Sequence, residues 1–179
     1  MLQTWIDRIE AIIKYSGIAV SWLTLLMVII TFLVVLLRYV FDYGLIAMQE
    51  SIIYMHALVF LIGSAYTLQQ NAHVRVDIIY NKLSEKHRAY INLFGTIFLL
   101  GPTMLFIFII SWQYVSDSWD VLETSREAGG LPGVFLLKSS ILVMACLMLL
   151  QGVANTLTAL QTIQSDKKAN NDTHQETKF

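Results

Sequence analysis

Four side chains in or beside long apolar runs carry most of the chemistry this sequence could offer. Arg38 follows the run LLMVIITFLVVLL, Glu50 opens the next run, His56 lies inside it, and Lys138 sits just inside the last one. An unpaired charge in hydrocarbon is expensive, so Arg38, Glu50 and Lys138 must each reach water or find a partner. Long side chains such as Arg38 and Lys138 can do either. A short carboxylate cannot reach far, so Glu50 is expected to hold a cation, from Arg38, from Lys138 or from another chain. His56 has the chemistry of a haem or metal ligand or a proton relay. The other histidines, His73, His87 and His174, fall in a loop and the tail. A bis-histidine haem between spans therefore cannot be assembled, and a hydrogen-bonded packing histidine is the simpler reading. A Ser-His-Asp or Cys-His arrangement fails because its candidate members lie near opposite faces of the membrane. The lone Cys146 can build neither a disulfide framework nor a Cys/His zinc site. No catalytic set, metal site or cofactor site emerges from these residues.

The elements that must position them are membrane helices. Hydrophobic residues make up 56% of the 179 and charged residues only 14%, against roughly a quarter charged in soluble domains. A net charge of -1 offers no basic face for nucleic acid. Spanning the hydrocarbon takes about 20 helical residues. Four runs qualify: Tyr15 to Leu37, Ser51 to Val74, Ala89 to Ser116 with Gly101-Pro102 inside it, and Ser139 to Ser165 extended outward by Pro132 to Leu137. Continuous apolar runs exclude the period-two pattern of a membrane barrel. The chain is thus predicted to be an all-α integral membrane protein, with spans at 16–38, 48–70, 89–116 and 132–162 in a single four-helix domain over 1–164. The N-terminal run is too long for a signal peptide and is expected to be retained. The polar tail, 165–179, is expected to lack fixed structure.

Two amphipathic stretches flank the spans. Leu2, Trp5, Ile9, Ile12 and Ile13 follow helical spacing and suggest an N-terminal interfacial helix. His73 to Leu83 mixes apolar and polar residues and is expected to lie along the cytoplasmic surface between the second and third spans. Positive charge stays on the cytoplasmic side. Arg8, Lys14, Arg75, Lys82, Lys86, Arg88, Lys167, Lys168 and Lys178 fall on one side, and only Arg38, Arg126 and Lys138 on the other. Both termini are therefore expected inside, with Gly44 and the loop from Asp117 to Gly130 outside. Within that loop, Glu123 to Pro132 combines Gly129 and Gly130 with Pro132. This pattern fits a tight return into the fourth helix, with Pro132 as an early helix residue. The two glycines would also let another backbone approach closely. Trp112, Tyr114 and Trp119 form an interfacial belt.

Several segments together resemble the small, Q-type (DctQ-like) membrane subunit of TRAP, or tripartite ATP-independent periplasmic, transporters, in its longer variety. They are Arg38-Tyr-Val-Phe41, Met48-Gln49-Glu50, Leu61-Ile-Gly-Ser-Ala-Tyr-Thr-Leu68, Asn71-Ala-His73-Val-Arg75-Val-Asp77, Gly129-Gly130-Leu-Pro132, Lys138 and Leu150-Gln-Gly152. Their order relative to four spans carries the likeness, over roughly Ser16 to Leu160. Many members have Glu-Glu where this chain has Gln49-Glu50, although the longer variety often shows Gln-Glu.

The resemblance implies a non-catalytic scaffold in a bacterial inner membrane. Its partners would be membrane lipid, a large (M-type) TRAP membrane subunit carrying the substrate and sodium sites, and a periplasmic substrate-binding protein that delivers an organic acid. It implies that Arg38, Gln49, Glu50, His73, Arg75, Asp77, Gly129, Gly130, Pro132 and Lys138 make structural or partner contacts. Two other classes compete: an independent four-helix membrane redox protein, which lacks a second intramembrane histidine, and a small oligomeric transporter, whose path through the membrane would find mainly His56 and scattered Ser and Thr.

Overall fold

A computed structural model describes residues 2–72 and 83–176, with side chains to residue 165. His73, Arg75 and Asp77, with nearly all of the expected surface segment, fall outside the described residues. Four helices are long and apolar enough to cross a membrane. They are α1 (Leu2–Val40), α2 (Ile46–Gln69), α3 (Glu85–Asp120) and α4 (Val134–Glu176).

The predicted second span matches α2 closely, and the other three helices outrun their predicted spans. In α1 the amphipathic N-terminal stretch is not a separate element but the first turns of one 39-residue helix. The sequence there contains no proline, and its one glycine, Gly17, is placed for packing rather than as a break. The apolar residues of this stretch also divide differently from the expected interfacial face. Ile6 and Ile13 are buried and Ile9 packs beside them, while Leu2, Trp5 and Ile12 stay exposed. At the far end, α4 begins at Val134, and its helical backbone continues to Glu176 through the polar stretch expected to lack fixed structure.

The third helix shows how a proline is carried inside a span. Pro102 cannot donate to the preceding turn, and its ring crowds the carbonyl four residues back. The chain widens just before it: Gly95–Leu100 is π-helical, and the Gly101 N–H reaches back five residues to the Thr96 carbonyl. α-Helix then resumes from Gly101 to Asp120.

Residues 41–45 join α1 to α2, with Asp42 in the left-handed region at φ 53, and the Tyr43 N–H bonds the Leu37 carbonyl at 3.0 Å. So short a link makes α1 and α2 antiparallel neighbours. The helices run up-down-up-down, which brings the α1–α2 and α3–α4 connections to one end of the bundle and the N-terminus and the start of α3 to the other. The internal core is small: Ile13, Ala65 and Met148 meet where α1, α2 and α4 converge, and Ala89, Ala159 and Ile163 meet between α3 and α4. Small residues let the backbones close up, as is usual between membrane helices. At Gly17 a β-carbon would fall 2.5 Å from Cβ of Tyr66. Outward-facing residues such as Trp22, Phe32, Phe98 and Phe106 are exposed, which suits a surface solvated by lipid.

Candidate functional site

The polar residues at the loop end form one connected set. Glu50 sits in the second turn of α2 and turns its carboxylate towards the α3–α4 loop. It accepts a short hydrogen bond from the Ser125 hydroxyl and another, at 2.6 Å, from the Leu131 N–H. The Ser125 hydroxyl oxygen in turn accepts the Glu127 N–H at 3.1 Å, and the Ser125 N–H bonds the Leu131 carbonyl at 3.2 Å. A carboxylate from one helix hairpin thus organises the loop of the other, across 75 and 81 residues of sequence.

The loop backbone is shaped for that carboxylate. Gly129 holds φ +80, a conformation L side chains rarely adopt. At Gly130 a β-carbon would fall 2.6 Å from Cβ of Ser125 and 2.7 Å from Oε2 of Glu50. One glycine is required by its dihedral angle and the next by the approach of Glu50. The expected close approach is real, but what approaches is a side chain rather than another backbone. Pro132 precedes the helix rather than opening it. The Gly133 carbonyl accepts the N–H groups of Leu136 and Leu137 at 3.1 and 3.2 Å, and α4 starts at Val134.

Lys138, in the second turn of α4, pairs with Glu123, and its ammonium lies 3.9 Å from the centre of the Tyr114 ring. Its side chain is only 15% exposed, so it is held rather than extended into water. The Ser118 hydroxyl donates to the same Glu123 oxygen at 2.7 Å. These contacts, the Lys138 hydrogen bond first and that of Ser118 second, hold the Glu123 carboxyl below its ordinary range. Beside the pair, the Trp119 indole N–H donates to Ser139 at 2.8 Å and its ring meets Phe135 edge-on at 4.7 Å.

Two expectations change. Of the cations expected on Glu50, the two in this chain lie elsewhere: its carboxylate accepts from a hydroxyl and a backbone amide, and neither Arg38 nor Lys138 sits on it. Lys138 belongs to Glu123, and Arg38, exposed in the last turn of α1, makes no ion pair among the described residues. His56 is not a packed, hydrogen-bonded histidine: it is exposed and has no hydrogen bond among the described residues. Gln49 is half-buried, with no side-chain hydrogen bond among those residues.

The opposite end is built from amides. The Gln69 side-chain NH2 donates to the Glu10 carbonyl at 2.9 Å and ties the end of α2 to α1. Gln151, 1% exposed, donates to Asn155 at 2.9 Å. Both amides keep a buried oxygen without a partner among the described residues. They line a cavity of about 1320 Å³ that also touches Asn92, Thr96 and Asn155. Next to it, a β-carbon at Gly152 would fall 3.0 Å from Leu100, so α4 packs closely on the π-helical turn.

Sequence reasoning missed Ser118, Glu123 and Ser125 as the partners of its candidates, missed Gln69, and took Gln151 only as part of the segment Leu150-Gln-Gly152, without a contact for it. The available signal was Glu123 and Ser125 standing in the same turn as the two glycines. For the two glutamines it was an uncharged amide at the end of an apolar run.

Four helices long and apolar enough to cross a membrane, two of them tied together through a loop that Glu50 organises, define a small multi-pass membrane protein. The chain belongs to the DctQ component family of the tripartite ATP-independent periplasmic transporters, whose family model matches residues 27–162, and it is a multi-pass protein of the bacterial inner membrane. It is similar to the C4-dicarboxylate TRAP transporter small permease protein DctQ of Vibrio cholerae, at 24% identity over 127 residues, covering 70% of this chain and 53% of that protein. The chain therefore spans about half the length of that curated relative. No solved structure gives a significant match.

Proposed function

We propose that this chain is the non-catalytic small permease subunit of a TRAP transporter. It scaffolds a large membrane subunit during sodium-coupled uptake of an organic acid handed over by a periplasmic binding protein. The observation that carries this reading is the family match, which runs from residue 27, within α1, to residue 162 and so reaches into all four spanning helices. The geometry supports a scaffold. Glu50, Glu123 and Lys138 are engaged in holding a loop, and the helices present long apolar faces outward. The relative's name makes C4 dicarboxylates the first substrates to try. The positive-charge asymmetry favours an orientation with both termini in the cytoplasm and the Glu50 loop cluster facing the periplasm.

The test is gentle purification of the tagged chain from its own membrane, with the co-purifying proteins identified by mass. A larger polytopic transporter subunit at fixed stoichiometry is the expected result. A chain that purifies alone, or that carries a haem absorbance, would return the reading to an independent membrane protein.

A further inference from the structure

Most polar groups at the two ends of the bundle have partners within the chain, whereas the histidine in the middle of α2 has none among the described residues. His56 is the eleventh residue of the 24-residue α2. At 1.5 Å per residue it lies about 15 Å from the start of that helix, close to the midplane of the span. It is exposed on the chain's surface with no hydrogen bond among the described residues. The hydroxyls of the same helix are different. Ser51, Ser64 and Thr67 each return a bond to their own helix, to the carbonyls of Met48, Leu61 and Gly63. His56 makes no such return bond.

A neutral imidazole carries one donor and one acceptor, and acyl chains can satisfy neither. With only two rotatable bonds, the side chain cannot reach the headgroup region from the midplane. A polar group left facing hydrocarbon at this depth marks a contact with protein. Its neighbours on the face fit that role. Ile53 is 61% exposed and Phe60 73%, and the spacing 53, 56, 60 puts them in one row, which Gln49 extends by one turn. The other sides of α2 are taken by α1 and α4.

We propose that the α2 face formed by Gln49, Ile53, His56 and Phe60 docks against a membrane helix of the large partner subunit, which presents a hydrogen-bonding group to His56 at the midplane. This rests on the reading of the chain as a small permease subunit. It adds which of the four helices makes the contact and through which side chain. A second copy of this chain could also offer an imidazole, but the family is one component of a tripartite system, and the similar Vibrio protein's name, small permease protein, points to a larger permease as the partner.

The test places a photoreactive residue at Ile53 or Phe60, leaving His56 intact, with Val28 on α1 and Val143 on α4 as comparison positions, all in the native membrane with the full system expressed. The expected result is adducts to the large subunit from positions 53 and 60 and few or none from 28 and 143. In parallel, His56→Leu should lower recovery of the large subunit about three- to tenfold, the range set by one interhelical hydrogen bond in a membrane. His56→Gln, which keeps a donor and an acceptor, should restore most of it. Because His56 is exposed, the variant chain should keep its own melting temperature, which separates lost docking from lost folding. Adducts only to a second copy, adducts only to lipid, or unchanged recovery with His56→Leu would each overturn the inference while leaving the subunit reading intact. Failure of the unmodified chain to bring down any large subunit would overturn both.

Discussion

The two ends of this bundle are closed by different chemistry. At the loop end a carboxylate grips a backbone amide and a hydroxyl, and a second carboxylate pairs with an ammonium. At the opposite end Gln69, Gln151 and Asn155 use neutral amides around a cavity. An amide keeps its hydrogen bonds across the pH scale, whereas a carboxylate surrenders its charge in acid. The carboxylate contacts of the loop end should therefore give way in acid, whereas the amide hydrogen bonds at the opposite end should hold, although Glu10, Glu85 and Arg88 also line the cavity there.

The largest effect is expected in the half of the molecule nearer the amides, where α1 crosses α2 with no slack. Gly17→Ala would put a β-carbon 2.5 Å from both Cβ and Cγ of Tyr66. Overpacking of this kind costs about 1–3 kcal/mol, more than the roughly 1 kcal/mol that alanine gains over glycine within a helix. A lower Tm of the detergent-solubilised chain is the readout. A smaller and more local effect is expected from Glu50→Gln. The amide oxygen can still accept the Leu131 N–H, but the Ser125 hydroxyl must turn from donor to acceptor, and both loop bonds lose the strength that the carboxylate charge gives them. Hydrogen exchange should speed up at the Leu131 and Glu127 amides and stay unchanged around Gln151.

Acid should reveal the asymmetry without mutation. The Glu123 carboxyl is held below its ordinary value chiefly by its hydrogen bond from Lys138. Its contribution to stability is therefore fully present above the unfolded value of about 4.3 and is lost as pH falls through the depressed folded value. Tm measured from pH 7 to pH 3 should drop for the native chain and drop less for Glu123→Gln. An equal slope in the two proteins would mean that the pair contributes nothing. The smallest effect is expected from Arg38→Gln, within about 0.5 kcal/mol for the isolated chain, because this exposed side chain has no ion pair among the described residues.

The spans were legible because uncharged runs of membrane length are a property of local sequence. The glycine pair stood out in the sequence as a tight turn that allows close approach, and the two residues divide those roles: Gly129 carries the positive φ, and Gly130 leaves room for the Ser125 and Glu50 side chains. The partner of Glu50 was not legible. Any cation at the same membrane face satisfies a charge argument, and nothing in the order of residues favours a serine and an amide 75 and 81 positions away. The continuity of α1 was hidden because an amphipathic stretch and an apolar span read as two elements when no residue breaks the helix between them. His56 looked like packing because a lone polar residue in an apolar run usually turns inward, and only the arrangement of α1 and α4 around α2 shows that it faces out.

The central claim is that this chain supports transport without performing it. The direct measurement is sodium-driven uptake into liposomes of a labelled C4 dicarboxylate, or of whichever organic acid the complete system accepts. Vesicles would hold either this chain alone or this chain with the large membrane subunit, with the binding protein supplied outside. Uptake is expected only when the large subunit and the binding protein are both present. Uptake by this chain alone, at a rate matching that of the full system, would contradict the account.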